Sequence, residues 1–194
     1  MYDDAAEVIV HIEKNQIRRA LLGFTIIIVN YAADRISKQW AILTLKGKGI
    51  VNVIGDFFIL IYAENTGAFL SAGAGWPSII KYILLLIIPL LLCCYGIYYI
   101  FIKEKRYSHI VSLACIIGGG LGNLIDRLVN NFIVVDFLNF GIGKLRTGIL
   151  NVADLSVTFG ALAFIIIEMG RKRKEQNLLE GYKELDIDTN TQDK

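Results

Sequence analysis

Four long apolar runs limit what this chain can fold into. Hydrophobic residues make up 55% of its 194 residues, which is more than a soluble domain usually contains. A helix needs roughly 20 apolar residues to cross a bilayer whose hydrocarbon core is about 30 Å thick. We therefore predict an all-α membrane bundle of four transmembrane helices, with spans at about 17–38, 77–102, 109–128 and 152–169 in one domain covering 17–170.

The first run is the weakest of the four. Its apolar core, residues 20–33 with one asparagine inside it, is short for a span and is followed by Asp34, Arg35 and Lys38. Arg18 and Lys38 can extend their charged ends toward opposite membrane surfaces and so lengthen it. Asp34 either reaches a polar cluster at the helix end or pairs with Lys38, and the i, i+4 spacing favours the local pair.

The second and third runs contain residues that affect helix geometry. Pro89 lies in the middle of the second run, where we expect it to kink the helix. Gly118 and Gly122 lie four residues apart in the third run. Small residues at that spacing let two helices approach closely, so we predict a tight helix contact there.

Basic residues cluster at three places along the chain. They lie before the first span, at residues 103–106 between the second and third spans, and at 171–174 after the fourth. Cytoplasmic loops carry such an excess, so both termini are predicted to be cytoplasmic. Residues 1–16 lack the pattern of a cleaved signal and should form a tail with a short helix at 8–12. The charged tail 171–194 is predicted to be disordered.

The segments that follow the first and third spans then face the outside. Residues 40–71 have no helical pattern, and 50–54 and 57–62 within them are rich in β-branched and aromatic side chains, as are residues 133–140. Such runs are typical of short strands, so we predict a small β-sheet on the outer membrane face. Asn65 begins an Asn-Thr-Gly sequence, which favours a turn, although a side-chain donor aimed at a substrate is the other interpretation.

Polar residues gather where the last two spans meet the outer surface. Those on the third helix share one side of it, and those on the fourth form a stripe at i, i+3 and i+7. The first residue of that stripe also fits a plain helix N-cap. The cluster comprises Asn123, Asp126 and Arg127, then Asp136 in the strand segment, then Asn151, Asp154 and Thr158.

Several acids at the edge of a membrane allow two interpretations. Two carboxyl groups in close contact cannot easily both ionise, so one can take a proton from water while the other donates to a carbonyl, as in an aspartic peptidase. Acids at span ends can also be simple boundary markers, and the spacing leaves these two interpretations nearly even. Three aspartates without His or Cys ligands would hold only hard cations, and weakly.

The histidines and cysteines offer no other chemistry. His11 and His109 lie at segment ends without ligand partners, so we expect solvated or interfacial positions for both. Cys93, Cys94 and Cys115 fall inside apolar runs, where membrane-buried free thiols are expected. The lack of a histidine on the outer side argues against a His-assisted hydrolase. Basic residues beside apolar runs indicate membrane orientation and not nucleic-acid binding.

Four short motifs contain most of the polar cluster. They are Asn-Thr-Gly-Ala at 65–68, Gly-Gly-Leu-Gly-Asn-Leu-Ile-Asp-Arg-Leu at 119–128, Val-Val-Asp-Phe at 134–137 and Asn-Val-Ala-Asp at 151–154. Together they resemble the motifs of signal peptidase II, the bacterial lipoprotein signal peptidase. Asp34, with Ser37 and Lys38, resembles the motif of the family's first span. The motifs follow the family's order from about Asp34 to Gly160.

The resemblance implies an aspartic endopeptidase of the bacterial cytoplasmic (inner) membrane. Such an enzyme removes the signal peptide of a prolipoprotein by cleaving before a diacylglyceryl-modified cysteine. It acts at the outer face, among membrane lipids, and needs no cofactor or metal; we expect a monomer. The family's outer segments form a β-cradle and a mobile periplasmic helix over the site.

The resemblance also implies roles for individual residues. Asp34 and Lys38 match motif positions whose role stays open, and Gly67 and Asp126 match supporting positions, with Asp126 expected to pair with a basic group. Many members read Asn-x-Gly-Ala-Ala-Phe, whereas Phe69 places the aromatic residue one position early here. The implied catalytic pair is Asp136 and Asp154, and the residues implied to hold the substrate backbone and orient the acids are Asn65, Asn123, Arg127 and Asn151.

A small four-span transporter or channel subunit that uses outer-face acidic residues is the alternative function. It predicts acids near the middle of the membrane and two halves that resemble each other, and the sequence has neither feature. A scaffold without chemistry would leave the pattern of asparagines and aspartates unexplained.

Overall fold

Four helices make up most of the protein. The computed structural model describes residues 2–67 and 73–192, with side chains in 14–67 and 73–180. Each helix contains a stretch long and apolar enough to cross a membrane, which confirms the predicted four-helix membrane fold. The helices are α1 (Tyr2–Leu45), α2 (Ser78–Lys103), α3 (Tyr107–Val129) and α4 (Val152–Gln192).

Helix α1 is longer than the predicted first span at both ends. It includes the predicted tail, residues 1–16, from Tyr2 onward, because no glycine or proline interrupts the chain there. We expected the charge of Lys38 to end the helix. Its side chain is instead buried against carboxylates, so the helix continues to Leu45 and includes residues 40–45, which we predicted to be non-helical.

Helix α4 also continues beyond its predicted boundary. We expected disorder from residue 171 onward, but the helix extends to Gln192. Arg171 accounts for the first part of this continuation, because its guanidinium donates to Glu168 one turn earlier and to Glu175 one turn later. Opposite charges three and four residues apart stabilise an exposed helix.

Helix α2 contains two wide turns. We expected a kink at Pro89, and a π-helical turn at Ile83–Ile87 lies directly before the regular helix Ile88–Tyr98 that contains this proline. A second π-helical turn, Tyr99–Lys103, ends the helix. Proline lacks an N–H and its ring displaces the carbonyl four residues earlier, so a wide turn before it relieves both problems.

A four-stranded antiparallel sheet lies at one end of the bundle, which we call the sheet end. Its strands lie side by side in chain order, and three of them match the predicted segments 50–54, 57–62 and 133–140 closely. The fourth has only two residues and was not predicted. The strands are β1 (Val51–Ile54), β2 (Phe58–Asn65), β3 (Val134–Ile142) and β4 (Leu145–Arg146).

The sheet packs on the last turns of α1. Ala41 and Leu45 of the helix form one apolar cluster with Val135 and Phe137 of β3. The first six residues of β3 are buried, and its Asp136 pairs across the ladder with Ala63 of β2. The strand that carries Asp136 is therefore enclosed between α1 and β2.

The segment between β2 and α2 is described only in part. Residues 66–67 and 73–77 form no helix. Phe69 lies outside the described residues, so the helix that the resemblance implies over the site has no counterpart in the part of this segment that is described.

Helix α3 lies between α1 and α4 and packs closely against both. A Cβ added at Gly122 would lie 2.6 Å from Asp34 Oδ2, and one at Gly119 would lie 2.5 Å from the Ala153 carbonyl oxygen. At Gly118 the nearest atom would be Asn30 Cβ of α1, at 2.8 Å. These distances confirm the predicted tight helix contact, and they bring the polar ends of three helices together.

Candidate active site

The sheet end brings together the polar residues predicted from sequence. Five elements or the loops beside them contribute side chains to one connected hydrogen-bond network. The residues are Asp34 and Lys38 on α1, Asn65 and Gly67 at the end of β2, Asn123, Asp126 and Arg127 on α3, Asp136 on β3, and Asn151 and Asp154 at the start of α4.

Asp136 is a buried carboxyl group held by two amides. It is 2% exposed. Asn65 Nδ2 donates to its Oδ2 at 2.9 Å, and Asn151 Nδ2 donates to its Oδ1 at 2.6 Å. Burial raises the pKa of Asp136 to about 6 and the nearby charge of Asp154 adds to this increase, although both amides favour the ionised form.

Asp154 lies in the first turn of α4, where a side-chain amide and a backbone N–H donate to its carboxylate. Its Oδ1 accepts from Asn123 Nδ2 at 2.9 Å, and its Oδ2 accepts from the backbone N–H of Asn151 at 3.1 Å. In return, Asn151 Oδ1 accepts from the backbone N–H of Asp154 at 2.9 Å. This reciprocal arrangement is a capping box, which satisfies two free donors of the helix start.

Asn151 therefore fits both interpretations of the sequence. It is the N-cap of α4, and its side-chain amide also binds Asp136. Through its side chain and its backbone, one residue fixes the separation of two carboxyl groups. Among the described residues, no lysine, arginine or histidine nitrogen forms an ion pair with either Asp136 or Asp154.

A second layer of charges lies behind the two acids. Lys38 Nζ is 2.7 Å from Asp34 Oδ2 and 2.6 Å from Asp126 Oδ2, and Arg35 donates to Asp126 as well. Asp34 Oδ1 also accepts from the backbone N–H of Ala153 at 2.9 Å. Asp34 therefore forms the local pair expected for it and also reaches the start of α4, and Asp126 pairs with basic groups as expected.

Arg127 holds the turn that follows β2. Its Nη2 donates to the Gly67 carbonyl oxygen at 2.8 Å and its Nη1 to the Asn123 carbonyl oxygen at 3.2 Å. The Gly67 N–H donates to Asn65 Oδ1 at 2.8 Å. This Asn-Thr-Gly turn is the one predicted, and its asparagine uses the side-chain oxygen for the turn and the side-chain nitrogen for Asp136.

A cleft of about 250 Å³ opens beside Asp154 between α2, α3 and α4. Leu85 and Pro89 of α2 form one wall and Val157 of α4 lies opposite, while Arg127 lies at the polar end. The cleft thus joins an acid to an apolar groove between membrane helices. Such a site can expose a bond to a carboxyl group while an apolar part of the same molecule stays between the helices.

Arg35 is the residue of this region that sequence reasoning missed. It was read only as a charge at the end of the first span, yet it pairs with Asp126, 91 residues away. Arg35 lies on the same helical turn as Asp34 and Lys38, and this proximity is the sequence feature that could have identified it. Within residues 14–67 and 73–180, no group of three His, Cys, Asp or Glu side chains is placed to hold a metal ion.

His109 differs from its expected interfacial position. It is 2% exposed, and its Nε2 lies 3.2 Å from Glu168 Oε2 at the end of the bundle opposite the sheet. The contact with a carboxylate accounts for its burial. The side chain of His11 lies outside those described, and Cys93, Cys94 and Cys115 are free thiols.

Comparisons with known proteins find relatives of this chain in one family. The family model described as signal peptidase (SPase) II matches residues 26–169. A lipoprotein signal peptidase of Borrelia hermsii (strain HS1 / DAH) is 35% identical over 167 residues, which cover 83% of this chain and 98% of that protein. A lipoprotein signal peptidase of Burkholderia cenocepacia (strain HI2424) is 36% identical over 159 residues, 78% of this chain and 89% of that protein.

Two solved structures of bacterial membrane enzymes have a fold similar to that of this chain. A bacterial membrane enzyme solved at 2.3 Å resolution has a TM-score of 0.65 at 28% identity, covering 77% of this chain and 88% of that one. Another, solved at 1.9 Å, has a TM-score of 0.62 at 25% identity, covering 75% and 90%. Sequence and structure together show that the chain belongs to the signal peptidase II family of aspartic peptidases.

Proposed function

We propose that this protein removes signal peptides from prolipoproteins by cleaving before a diacylglyceryl-modified cysteine, with Asp136 and Asp154 as the catalytic pair. One observation carries the proposal. Among the described residues, Asp136 and Asp154 accept hydrogen bonds from amide donors alone and are linked through Asn151, and Asp154 lines a cleft between membrane helices. An acid without a cation partner can still exchange protons at neutral pH.

The environments of the two acids support different roles for them. Asp136 is the acid, because burial raises its pKa to about 6 and so favours the form that carries a proton. We assign Asp154 as the base, because its carboxylate lies at the N-terminus of a helix and accepts from the backbone N–H of Asn151. Two acids whose environments differ in this way can divide the work of proton transfer between them.

Peptide hydrolysis then proceeds through a tetrahedral diol. Asp154 takes a proton from water as the water oxygen bonds to the peptide carbonyl carbon, and Asp136 donates its proton to the carbonyl oxygen. In the second half, Asp154 passes the proton to the cysteine nitrogen as the C–N bond breaks. Asp136 regains a proton from the diol, so both acids return to their starting states.

The remaining polar residues position the reactants. Asn65, Asn123 and Asn151 each donate to a catalytic carboxylate, so they orient the acids. The buried Arg127 Nε has no hydrogen-bond partner among the described residues, and it is the donor we assign to a substrate carbonyl. The apolar walls of the cleft suit the lipid-bound part of a substrate that stays in the bilayer.

The charges at the opposite end support an orientation in the membrane. Lysines and arginines lie at residues 103–106, between α2 and α3, and at 171–174 on α4. The positive-inside rule places that end in the bacterial cytoplasm, together with both termini, and the sheet end outside. The site then lies at the outer face of the cytoplasmic membrane, in a protein that acts as a monomer.

A cleavage assay in lipid tests the proposal. Purified protein is incubated with a prolipoprotein peptide carrying diacylglyceryl-cysteine, and with the same peptide lacking the lipid. We expect cleavage of the first only, and a loss of roughly 1,000-fold in Asp136→Asn and Asp154→Asn, within the range of general acid–base catalysis. Asp56→Asn is the matched control, since Asp56 pairs with Arg146 on the exposed tip of the sheet.

Two results would contradict the proposal. Wild-type protein that is folded but does not cleave the lipid-modified peptide would refute the activity. Normal turnover by both asparagine variants would refute the catalytic pair while leaving the activity standing.

A further inference from the structure

Lys38 carries a buried charge directly behind the proposed active site. Its side chain is 3% exposed, and its ammonium lies 2.7 Å from Asp34 Oδ2, 2.6 Å from Asp126 Oδ2 and 2.8 Å from Asn123 Oδ1. An ammonium can only donate, and here it donates a hydrogen bond to Asn123 Oδ1 while it forms ion pairs with the two carboxylates. Two of the partners are carboxylates that compensate the charge. The third, Asn123, is neutral and serves another purpose.

The contact with Lys38 decides which way the Asn123 amide points. A lysine ammonium can only donate, so the atom of Asn123 that faces it must be the oxygen. That oxygen also accepts from Asn151 Nδ2 at 3.2 Å. The amide nitrogen must then face the opposite way, where it donates to Asp154 Oδ1 at 2.9 Å. With the amide reversed, Lys38 and Asp154 would each lose their bond.

Asp154 lies within reach of charges from three other elements. Among the described residues, these are Lys38 of α1, Arg127 of α3 and Asp136 of β3. Asp34 and Asp126 lie on the far side of Lys38 and, with Arg35, make that cluster neutral in sum. Because the cluster is neutral, the directed bond through Asn123, more than net charge, connects Lys38 to Asp154.

We propose that Lys38 is a positioning residue that acts through Asn123, holding its amide against Asp154 and keeping Asp154 the ionised member of the catalytic pair. This inference rests on the proposed function, since it assigns a role within that reaction. Lys38 touches neither the reacting atoms nor the cleft, so its effect must appear in the turnover step and in the pH dependence.

Three variants separate this role from simple charge compensation. Lys38→Met removes the donor to Asn123 but leaves two carboxylates without their cation. Lys38→Met combined with Asp34→Asn removes the donor and one of these negative charges together, and the asparagine oxygen can still accept from Ala153. Arg35→Gln is the matched control, because Arg35 binds Asp126 from the same helix and has no bond to Asn123 among those described.

The measurements are kcat, KM and the pH dependence of kcat on the lipid-modified peptide, each per folded molecule. We expect kcat to fall about 10- to 100-fold in both Lys38 variants, as for other residues that orient a reacting group from behind, with little change in KM. The acid limb of the profile should move to higher pH, since the base loses a favourable partner. Arg35→Gln should keep the wild-type kcat and profile.

An epistasis test adds a second readout. In an Asn123→Ala background, Lys38→Met should cause no further loss of kcat, because residues that act in series are not additive. Full additivity would overturn the inference, and so would recovery of wild-type kcat in the charge-balanced double variant.

If neither Lys38 variant folds, Lys38 is required for the fold and the inference is likewise overturned. A wild-type protein that does not cleave the peptide is a different result, since it refutes the proposed function itself. The two failures are therefore distinguishable in one set of assays.

Discussion

Two buried polar clusters lie at opposite ends of α3 and α4, and their acids have different partners. At the sheet end, Asp136 and Asp154 accept hydrogen bonds from amides only, as far as the described part of the chain shows. At the opposite end, Glu104 binds the Arg106 guanidinium, and Glu168 lies between His109 and Arg171.

The two clusters shift acid pKa values in opposite directions. Hydrogen bonds from the Arg106 side chain lower the pKa of Glu104 to about 2, whereas burial raises the pKa of Asp136 to about 6. A carboxylate beside a cation stays ionised and joins two segments. One that is buried among neutral amides keeps a proton available. Burial alone therefore does not distinguish the candidate active site from the other cluster, whereas the identity of the hydrogen-bond donors does.

Among the variants that compare the two clusters, the largest effect should come from breaking the link between the two acids at the sheet end. Asn151→Ser keeps an oxygen that can cap α4 but loses the amide that reaches Asp136. We expect peptide cleavage to fall roughly 100-fold, at the low end of acid–base contributions, with little change in melting temperature. Asn151→Ala should lose the same activity and about 1 kcal/mol of stability in addition, because the cap is gone.

Glu168→Gln is the matched variant at the opposite end. It weakens the bonds to Arg171 and His109 and should leave the cleavage rate per folded molecule unchanged. Equal losses of activity in Asn151→Ser and Glu168→Gln would remove the functional distinction between the two clusters.

A smaller effect concerns stability and pH at the sheet end. The folded pKa of Asp136, about 6, lies above its ordinary value of 3.8, so the folded state binds the proton more tightly than the unfolded state. The stability associated with this proton is fully present below pH 4 and is lost as pH rises through 6. Asn cannot ionise, so Asp136→Asn should gain stability relative to wild type over this range, by on the order of 2–3 kcal/mol.

Melting temperatures of wild type and Asp136→Asn in detergent, at pH 4, 5, 6 and 7, measure this difference. Asp56→Asn, at an exposed position, controls for the loss of a carboxylate as such and should show little trend. A constant difference between wild type and Asp136→Asn would mean that the acid is not protonated on folding.

Much of this fold could be predicted because local pattern decides it. Hydropathy alone located the four spans, and the runs of β-branched and aromatic residues located three strands. Local pattern did not locate the C-terminal end of α1, because a lysine after an apolar run indicates a membrane boundary. Only the structure shows that Lys38 is paired with two carboxylates and does not end the helix. The two-residue strand β4 is too short for any periodic signal.

The sequence predicts which residues gather at the candidate site, but it does not predict which of them bond to each other. The motifs named the residues, and spacing placed Asn151 at a cap, but which amide faces which acid depends on contacts between distant segments. Arg35 and Asp126 are 91 residues apart, and His109 meets Glu168 across 59. No pattern within a helix or strand can predict such pairs, because the packing of α3 against its neighbours creates them.

The smallest effect should come from the acid at the opposite end. Glu104→Gln keeps one oxygen for the backbone N–H groups of Lys105 and Arg106 but loses its charge. We expect a loss of about 1 kcal/mol, typical of one hydrogen bond in a folded protein, because half-exposed Arg106 can be hydrated once its partner is neutral. Cleavage per folded molecule should not change, since Glu104 lies at the far end of the bundle.

The pH dependence of this last variant has the opposite sign to that of Asp136→Asn. The folded pKa of Glu104, about 2, lies below its ordinary value of 4.5, so its contribution is present above pH 4.5 and is lost as pH falls toward 2. Wild type should therefore exceed Glu104→Gln in melting temperature at pH 6, with the gap narrowing by pH 3 and closing only as pH approaches 2. A difference in melting temperature that does not change with pH would show that Arg106 does not favour the ionised form of Glu104. The contrast between the two clusters would then rest on Asp136 alone.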